Sequence, residues 1–158
     1  MALSVGTKAP DFSLKTKTAE GLSDVKLSDH LGKNSVVLLF FPAAFTGVCT
    51  SEMCDVSAGL PGYEELNAKV IGISVDSPFA QEAWAKQSGI TFPLASDYNK
   101  TTIKAYDVVL DDLAGIGSSA KRAAFVIDRE GVIQYSEATP TPKDLPDFEA
   151  VKAALGKA

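Results

Sequence analysis

Thr46 and Cys49 stand three residues apart in the segment Phe40-Phe41-Pro42-Ala43-Ala44-Phe45-Thr46-Gly47-Val48-Cys49-Thr50-Ser51-Glu52-Met53-Cys54. Residues three apart share one face of a helix, so a helix here can set the Thr46 hydroxyl beside the Cys49 sulfur. An apolar run ends just before them, and a helix predicted over about 46–58 puts Cys49 in its first turn. The unpaired N–H groups and the positive dipole end at a helix start favour a thiolate, which is the reactive form of cysteine. The chemistry such a pair can do is nucleophilic attack by sulfur.

Peroxide reduction needs these parts. Sulfur attacks one oxygen in line with the O–O bond, and the other oxygen departs with developing negative charge, so donors aimed at it lower the barrier. The Thr46 hydroxyl, the Cys49 backbone N–H and one guanidinium would suffice, with Pro42 walling the pocket from water. Pro42, Thr46 and Cys49 also match the pattern P-x-x-x-T-x-x-C, and this composition yields only about 0.006 chance matches. On these residues the chain resembles the peroxiredoxins. The likeness extends to Gly6-Thr7-Lys8-Ala9-Pro10-Asp11-Phe12, to Val75-Asp76-Ser77-Pro78-Phe79 with Trp84, to Phe92-Pro93-Leu94 with Asp97, and to Lys121-Arg122-Ala123-Ala124-Phe125-Val126-Ile127-Asp128. The resemblance implies that Arg122 is the guanidinium facing the thiolate and that Glu52 orients it. It implies peroxide as substrate, a thioredoxin or glutaredoxin-like protein as reductant, and a homodimer as an assembly common among relatives. No haem, flavin or metal site is visible, which suits chemistry done by the thiol itself.

Composition narrows the alternatives. The 158 residues suit one domain, and 46% apolar residues supply a sizeable core. The net charge of −5 and the lack of a basic run argue against nucleic acid and against an anionic membrane surface. The opening Met1–Lys8 lacks the charged and apolar regions of a signal peptide, and Val36–Phe45 is too short to span a membrane, so a cytoplasmic protein is expected. Two cysteines are too few for a closed zinc site, and a stable structural disulfide would be unusual in a reducing compartment. The single histidine, His30, reads as a surface residue without a partner nearby in sequence. Gly115-Ile116-Gly117 reads as a flexible loop and Asp111-Asp112 as solvated.

The elements that position the chemistry follow from periodicity. Ser35–Phe41 reads as a central buried strand and Val70–Val75 as a second. The helix at 46–58 breaks near Gly59-Leu60-Pro61 and resumes to about Leu66. Ser77-Pro78 opens a helix with Phe79, Ala83 and Trp84 on its apolar face. Phe92–Leu94 is a short strand and Asn99–Tyr106 a helix. Ala123–Ile127 and Val132–Ser136 flank the turn Asp128-Arg129-Glu130-Gly131 as a hairpin. Asp147–Leu155 is a terminal helix with Phe148, Val151 and Leu155 inward. This order is that of an α/β thioredoxin-like sandwich, a central mixed β-sheet flanked by helices, in a single domain over 1–158.

Once Cys49 is a sulfenic acid, a second thiol can condense with it. The position of Cys54, five residues on, resembles the bacterioferritin-comigratory and plant Q-type peroxiredoxins, whose resolving cysteine lies in the same helix. The stretch Ala-Ala-Phe-Thr-Gly-Val-Cys is closer to the E-type alkyl hydroperoxide reductases. A thiol–disulfide oxidoreductase is the competing reading, disfavoured by the absence of C-x-x-C, and a peroxide sensor that switches without turnover is a third. In an unbroken helix, Cα atoms five apart are about 8.7 Å from one another, whereas a disulfide needs roughly 4.4–6.8 Å. The helix must therefore unwind locally for Cys49 and Cys54 to join. In a confirmed Cys49–Cys54 disulfide, circular dichroism and amide exchange are expected to show lost helix; an intact helix in that form refutes the expectation.

Overall fold

Ser35–Phe40 carries six buried residues in a row, and strand alternation sorts them into two cores. Val36, Leu38 and Phe40 enter one with Ile71, Ile73, Tyr106 and Phe125. Val37 and Leu39 enter the other, joined by Phe41, Cys49, Met53, Trp84, Val126, Val151 and Leu155. A strand buried on both faces must lie at the centre of a covered sheet. The computed structural model describes residues 2–158; of the opening octet read above, only Met1 lies outside them.

In chain order the described residues form β1 (Ser13–Thr18), β2 (Gly21–Lys26), a 3₁₀ turn (Leu27–Asp29), β3 (Ser35–Phe40), α1 (Gly47–Ala58), α2 (Leu60–Glu65), β4 (Ala68–Ser74), α3 (Pro78–Ser88), β5 (Leu94–Ser96), α4 (Thr101–Ala105), β6 (Val109–Leu110), β7 (Ser119–Ala120), β8 (Ala123–Ile127), β9 (Ile133–Ala138) and α5 (Phe148–Lys157). The main sheet runs β2-β1-β5-β4-β3-β8-β9. It is mixed: β4 is parallel to β3 and β5, while β8 is antiparallel to β3 and β9. Helices α1, α3 and α5 supply the second core, and α4 faces the first. No helix among the described residues is long and apolar enough to cross a membrane.

Several expected elements are shifted for local reasons. The short strand begins at Leu94 rather than Phe92, because Pro93 has no N–H to give a ladder; its carbonyl accepts from Gly72 N instead. α4 starts at Thr101 because the Asp97 carboxylate gathers the N–H groups of Thr101, Thr102 and Ile103. In α3 the Ser77 hydroxyl accepts from Ala80 N, as a cap should. Of the apolar face assigned to α3, only Trp84 is buried, while Phe79 is 59% exposed. Gln81 decides the rotation of that helix: its amide donates to Ser74 Oγ and to the Ala95 carbonyl, drawing the 81–84 stripe inward. The β1–β2 hairpin is missing from the sequence reading, since only Leu14 among its strand residues is fully buried and no apolar alternation marks it.

Gly72 sits where the central sheet is closely packed. A Cβ there would stand 2.6 Å from Leu94 Cδ2 and 3.3 Å from Phe92 Cε1, in the core beneath α1 and α3. Gly72→Ala is expected to destabilise the fold by about 1–3 kcal/mol through overpacking. Denaturant midpoints of the two proteins check this; a midpoint at or above wild type would mean that the layer yields freely.

Candidate active site

The site forms where β3 runs out. Pro42 is buried and its carbonyl accepts from the Ser119 hydroxyl. Ala44 N donates to Asp76 Oδ2 at 2.8 Å, and Ser74 Oγ donates to the same oxygen at 2.7 Å. Phe45 then turns the chain with φ of 65°, a left-handed backbone that a bulky residue adopts at a cost of about 1–3 kcal/mol. The turn makes Thr46 the N-cap residue of α1 and Cys49 a buried residue of its first turn.

Arg122 arrives from the opposite direction. The antiparallel register pairs Phe40 with Ala123, so residue 122 falls beside the end of β3 and the start of α1. Its side chain is 2% exposed, and each of its three nitrogens has an acceptor. Nη2 donates to Cys49 Sγ at 3.0 Å, and Nη1 donates to Glu52 Oε1 at 2.6 Å. Nε and Nη2 donate to the Pro142 carbonyl at 3.1 and 2.8 Å. Glu52 is fully buried one helical turn beyond Cys49, behind the guanidinium.

Pro42, Thr46, Cys49 and Arg122 thus line one small cavity of about 180 Å³, with Gly47, Val48, Leu113, Pro142 and Lys143. The structure departs from expectation at Thr46. Its hydroxyl does not cap the helix and donates to the Ala43 carbonyl at 2.7 Å. A hydroxyl has one proton, so with that proton committed Thr46 meets a ligand as an acceptor. No side chain caps the first N–H groups of α1, which leaves the helix start open toward the cavity. Cys54 does not join the site: its thiol is half-buried and donates to the Ser88 carbonyl at 3.2 Å. Both cysteines are free thiols, held by different neighbours within one unbroken helix.

Sequence reasoning missed the supports. Asp76 was read only as part of a family-like stretch, with no role in the site, and Ser119 carries no motif of its own. Thr50 donates to the Thr46 carbonyl and accepts from Trp84 Nε1 at 3.0 Å, tying α1 to α3. Leu113 reaches the cavity from a loop shaped by Asp112, whose exposed carboxylate takes the N–H groups of Gly115 and Gly117. That loop is braced rather than free. His30 is half-buried and has a partner, Asn34 Oδ1, 3.1 Å from Nδ1. Among the described residues, no three His, Cys, Asp or Glu side chains gather as a metal cluster.

The family model described as the AhpC/TSA family matches residues 5–136. A chloroplast 2-Cys peroxiredoxin of Hordeum vulgare is 41% identical over 139 residues, covering 84% of this chain and 64% of that protein. The chain therefore spans less than two thirds of that relative's length. Alkyl hydroperoxide reductase E of Mycobacterium tuberculosis is 40% identical over 137 residues, which is 85% of each chain. The reduced 2-Cys peroxiredoxin of Plasmodium vivax superposes with a TM-score of 0.85 at 30% identity, over 96% of this chain and 79% of that one. The expected thioredoxin-like sandwich is the observed fold.

Glu52 is the electrostatic anomaly of the site. Burial pushes its carboxyl up to about 7 from the ordinary 4.5, and the adjacent Arg122 offsets only part of that. Its second oxygen, Oε2, has no partner, which is the geometric side of the same desolvation. A carboxyl raised in the folded state adds stability that is fully present below pH 4.5 and is lost as pH rises through about 7. The loss amounts to about 3 kcal/mol. Glu52→Gln keeps an oxygen for Nη1 without the buried charge. Its stability, followed by denaturant unfolding, is expected to fall less than that of wild type between pH 5 and pH 8; equal falls would mean that Glu52 titrates normally.

Proposed function

The chain belongs to the AhpC/TSA family, and on that premise we propose that it is a thiol peroxidase that reduces hydroperoxides through Cys49. The observation that carries this reading is the buried guanidinium 3.0 Å from the sulfur, at an uncapped helix start. A cation donating a hydrogen bond to sulfur stabilises the thiolate, and the same group is in place for the charge that develops on an oxygen.

The hydroperoxide enters the cavity with its O–H donating to Thr46 Oγ1. The Cys49 thiolate attacks the distal oxygen; the S–O bond forms as the O–O bond breaks. The departing oxygen takes the electron pair, stabilised by Arg122 and the Cys49 N–H, and leaves as alcohol or water after taking a proton. Sulfur is oxidised to the sulfenic acid. The Cys54 thiolate then attacks that sulfur; the S–S bond forms as the S–O bond breaks, and hydroxide leaves as water after taking a proton. A thioredoxin or glutaredoxin-like dithiol returns the pair to thiols. Pro42 screens the cavity, and Glu52 holds Nη1 so that Nη2 stays on the sulfur. The whole chain acts as one domain, in the cytoplasm, where the reducing pool keeps both cysteines free between cycles.

Stopped-flow oxidation and a steady-state assay with thioredoxin test the assignments together. Cys49→Ser is expected to consume no hydroperoxide, and Arg122→Lys to react about 10²-fold more slowly, since an ammonium cannot serve Glu52, Pro142 and sulfur at once. Cys54→Ser is expected to undergo the first oxidation at the wild-type rate but lose turnover with thioredoxin. Wild-type activity in Cys49→Ser removes the proposal, and full turnover in Cys54→Ser transfers resolution to an external thiol. Fast oxidation of the wild type without turnover makes Cys49 a sensor.

A further inference from the structure

One ion pair does not fix a guanidinium. Glu52 holds Arg122 through Nη1 alone, and a planar group held at one nitrogen can still swing about that contact. The opposite edge is fixed elsewhere. Nε and Nη2 converge on the carbonyl of Pro142, a fork of two donors on one acceptor. Nη2 has two hydrogens, one for that carbonyl and one for Cys49 Sγ. The direction of the sulfur-facing N–H therefore depends on where the Pro142 oxygen lies.

Residues 139–146, Thr-Pro-Thr-Pro-Lys-Asp-Leu-Pro, place that oxygen. Prolines at 140, 142 and 146 restrict the backbone. At the near foot, Thr139 N donates to the carbonyl of Arg122 itself at 2.9 Å, and the Thr139 hydroxyl donates to the Thr141 carbonyl at 2.9 Å. Thr139 is only 6% exposed. Beyond the crown, Thr141 N and Oγ1 both donate to Asp144 Oδ2, at 3.2 and 2.9 Å. At the far foot, Asp147 N donates to Glu137 Oε1 on β9 at 2.8 Å before α5 begins. The segment is an arch pinned to β8 and β9, with the Pro142 carbonyl turned in toward the guanidinium.

We propose that this arch is a positioning strap for the thiol chemistry and that Thr139 is its positioning residue, acting through the Pro142 carbonyl on Arg122. Thr139 touches no reacting atom. It joins the backbone of Arg122 to the strap that holds the Arg122 side chain, so the two ends of one residue are kept in register. Asp144 holds the strap from the other side with an exposed contact, and its contribution is the smaller.

The inference rests on the peroxidase reading only where peroxide is the probe, so its test also uses a reagent that needs no peroxidase. Thr139→Val keeps the shape and removes the hydroxyl; Thr139→Ser restores it. In Thr139→Val, oxidation of Cys49 by hydrogen peroxide is expected to slow about tenfold, short of the 10²-fold that a catalytic group misplaced by about 1 Å can cost. Site-resolved alkylation of Cys49 by iodoacetamide is expected to set in at higher pH than in wild type, because the donor to the thiolate has moved. Thr139→Ser should recover both, and Asp144→Ala, whose exposed position spares the fold, should shift both slightly in the same direction. A wild-type alkylation profile in Thr139→Val and Asp144→Ala, whatever their melting temperatures, overturns the proposal. A serine variant no better than valine overturns it too. Shifted alkylation in variants of a chain that never consumes peroxide would keep the strap and remove the peroxidase.

Discussion

A guanidinium almost wholly withdrawn from water has to be surrounded by acceptors, because an uncompensated buried cation costs several kcal/mol. Arg122 meets that demand with a carboxylate oxygen, a backbone carbonyl and a sulfur. The third acceptor is the one the proposed chemistry uses. A cation that needs negative charge, placed against a cysteine, makes the thiolate part of its own solvation. Glu52 supplies charge while being itself desolvated, and it engages only Nη1, so the sulfur takes a donor that the ion pair leaves over. The arrangement gives up some stability, and the unpartnered Glu52 Oε2 is where that cost shows.

The rest of the fold delivers these groups from three directions. β3 carries the chain to Pro42, β8 brings Arg122 alongside by antiparallel register, and α1 presents Cys49 and Glu52 from one face. Between β3 and α1 the chain must reverse sharply, and the left-handed Phe45 is the residue that does so. Its strain is held by ties on either side: Ala44 N on Asp76, Ser119 on the Pro42 carbonyl, and Thr50 on the Thr46 carbonyl. Hydrogen bonds of this kind contribute about 1 kcal/mol each, enough together to hold one strained turn.

The proposed chemistry puts opposing demands on α1. It must keep the sulfur at its first turn, yet its two cysteines can meet only if it opens. Its inward face is modest: Cys49, Met53 and Val56 are the buried apolar residues, and Glu52 shares that face. Beyond the Arg122 bonds to Cys49 and Glu52, its anchors are single side-chain contacts to α3 and to the segment just after it, namely Trp84 on Thr50, the Cys54 thiol on Ser88, and Thr91 N on Ser57. Local stability drawn from so few contacts lies toward the low end of what a fold offers, where segments that open are found. The neighbouring strands, buried on both faces, have no such freedom.

The residues alone determined what is local. The apolar run at 35–41 read as a central strand because it has no polar face to offer water. The Thr46–Cys49 spacing read as a reactive helix start because N–H groups at such a start are unpaired wherever it occurs. The Asp128–Gly131 turn and the Ser77 cap were legible from local residue chemistry as well. Arg122 and Glu52 came from resemblance, since nothing in a sequence says which cation 73 residues away will face a sulfur. The β1–β2 hairpin left no trace because its strands bury almost nothing, and the rotation of α3 was misread because a glutamine, not the phenylalanine, makes the inward contacts. Tertiary structure alone decided that the Thr46 proton goes to Ala43, that Cys54 is held apart from Cys49, and that a proline carbonyl shares the guanidinium. Each of these is a choice among available partners, and partners far apart in the chain exist for one another only after β8 has paired with β3.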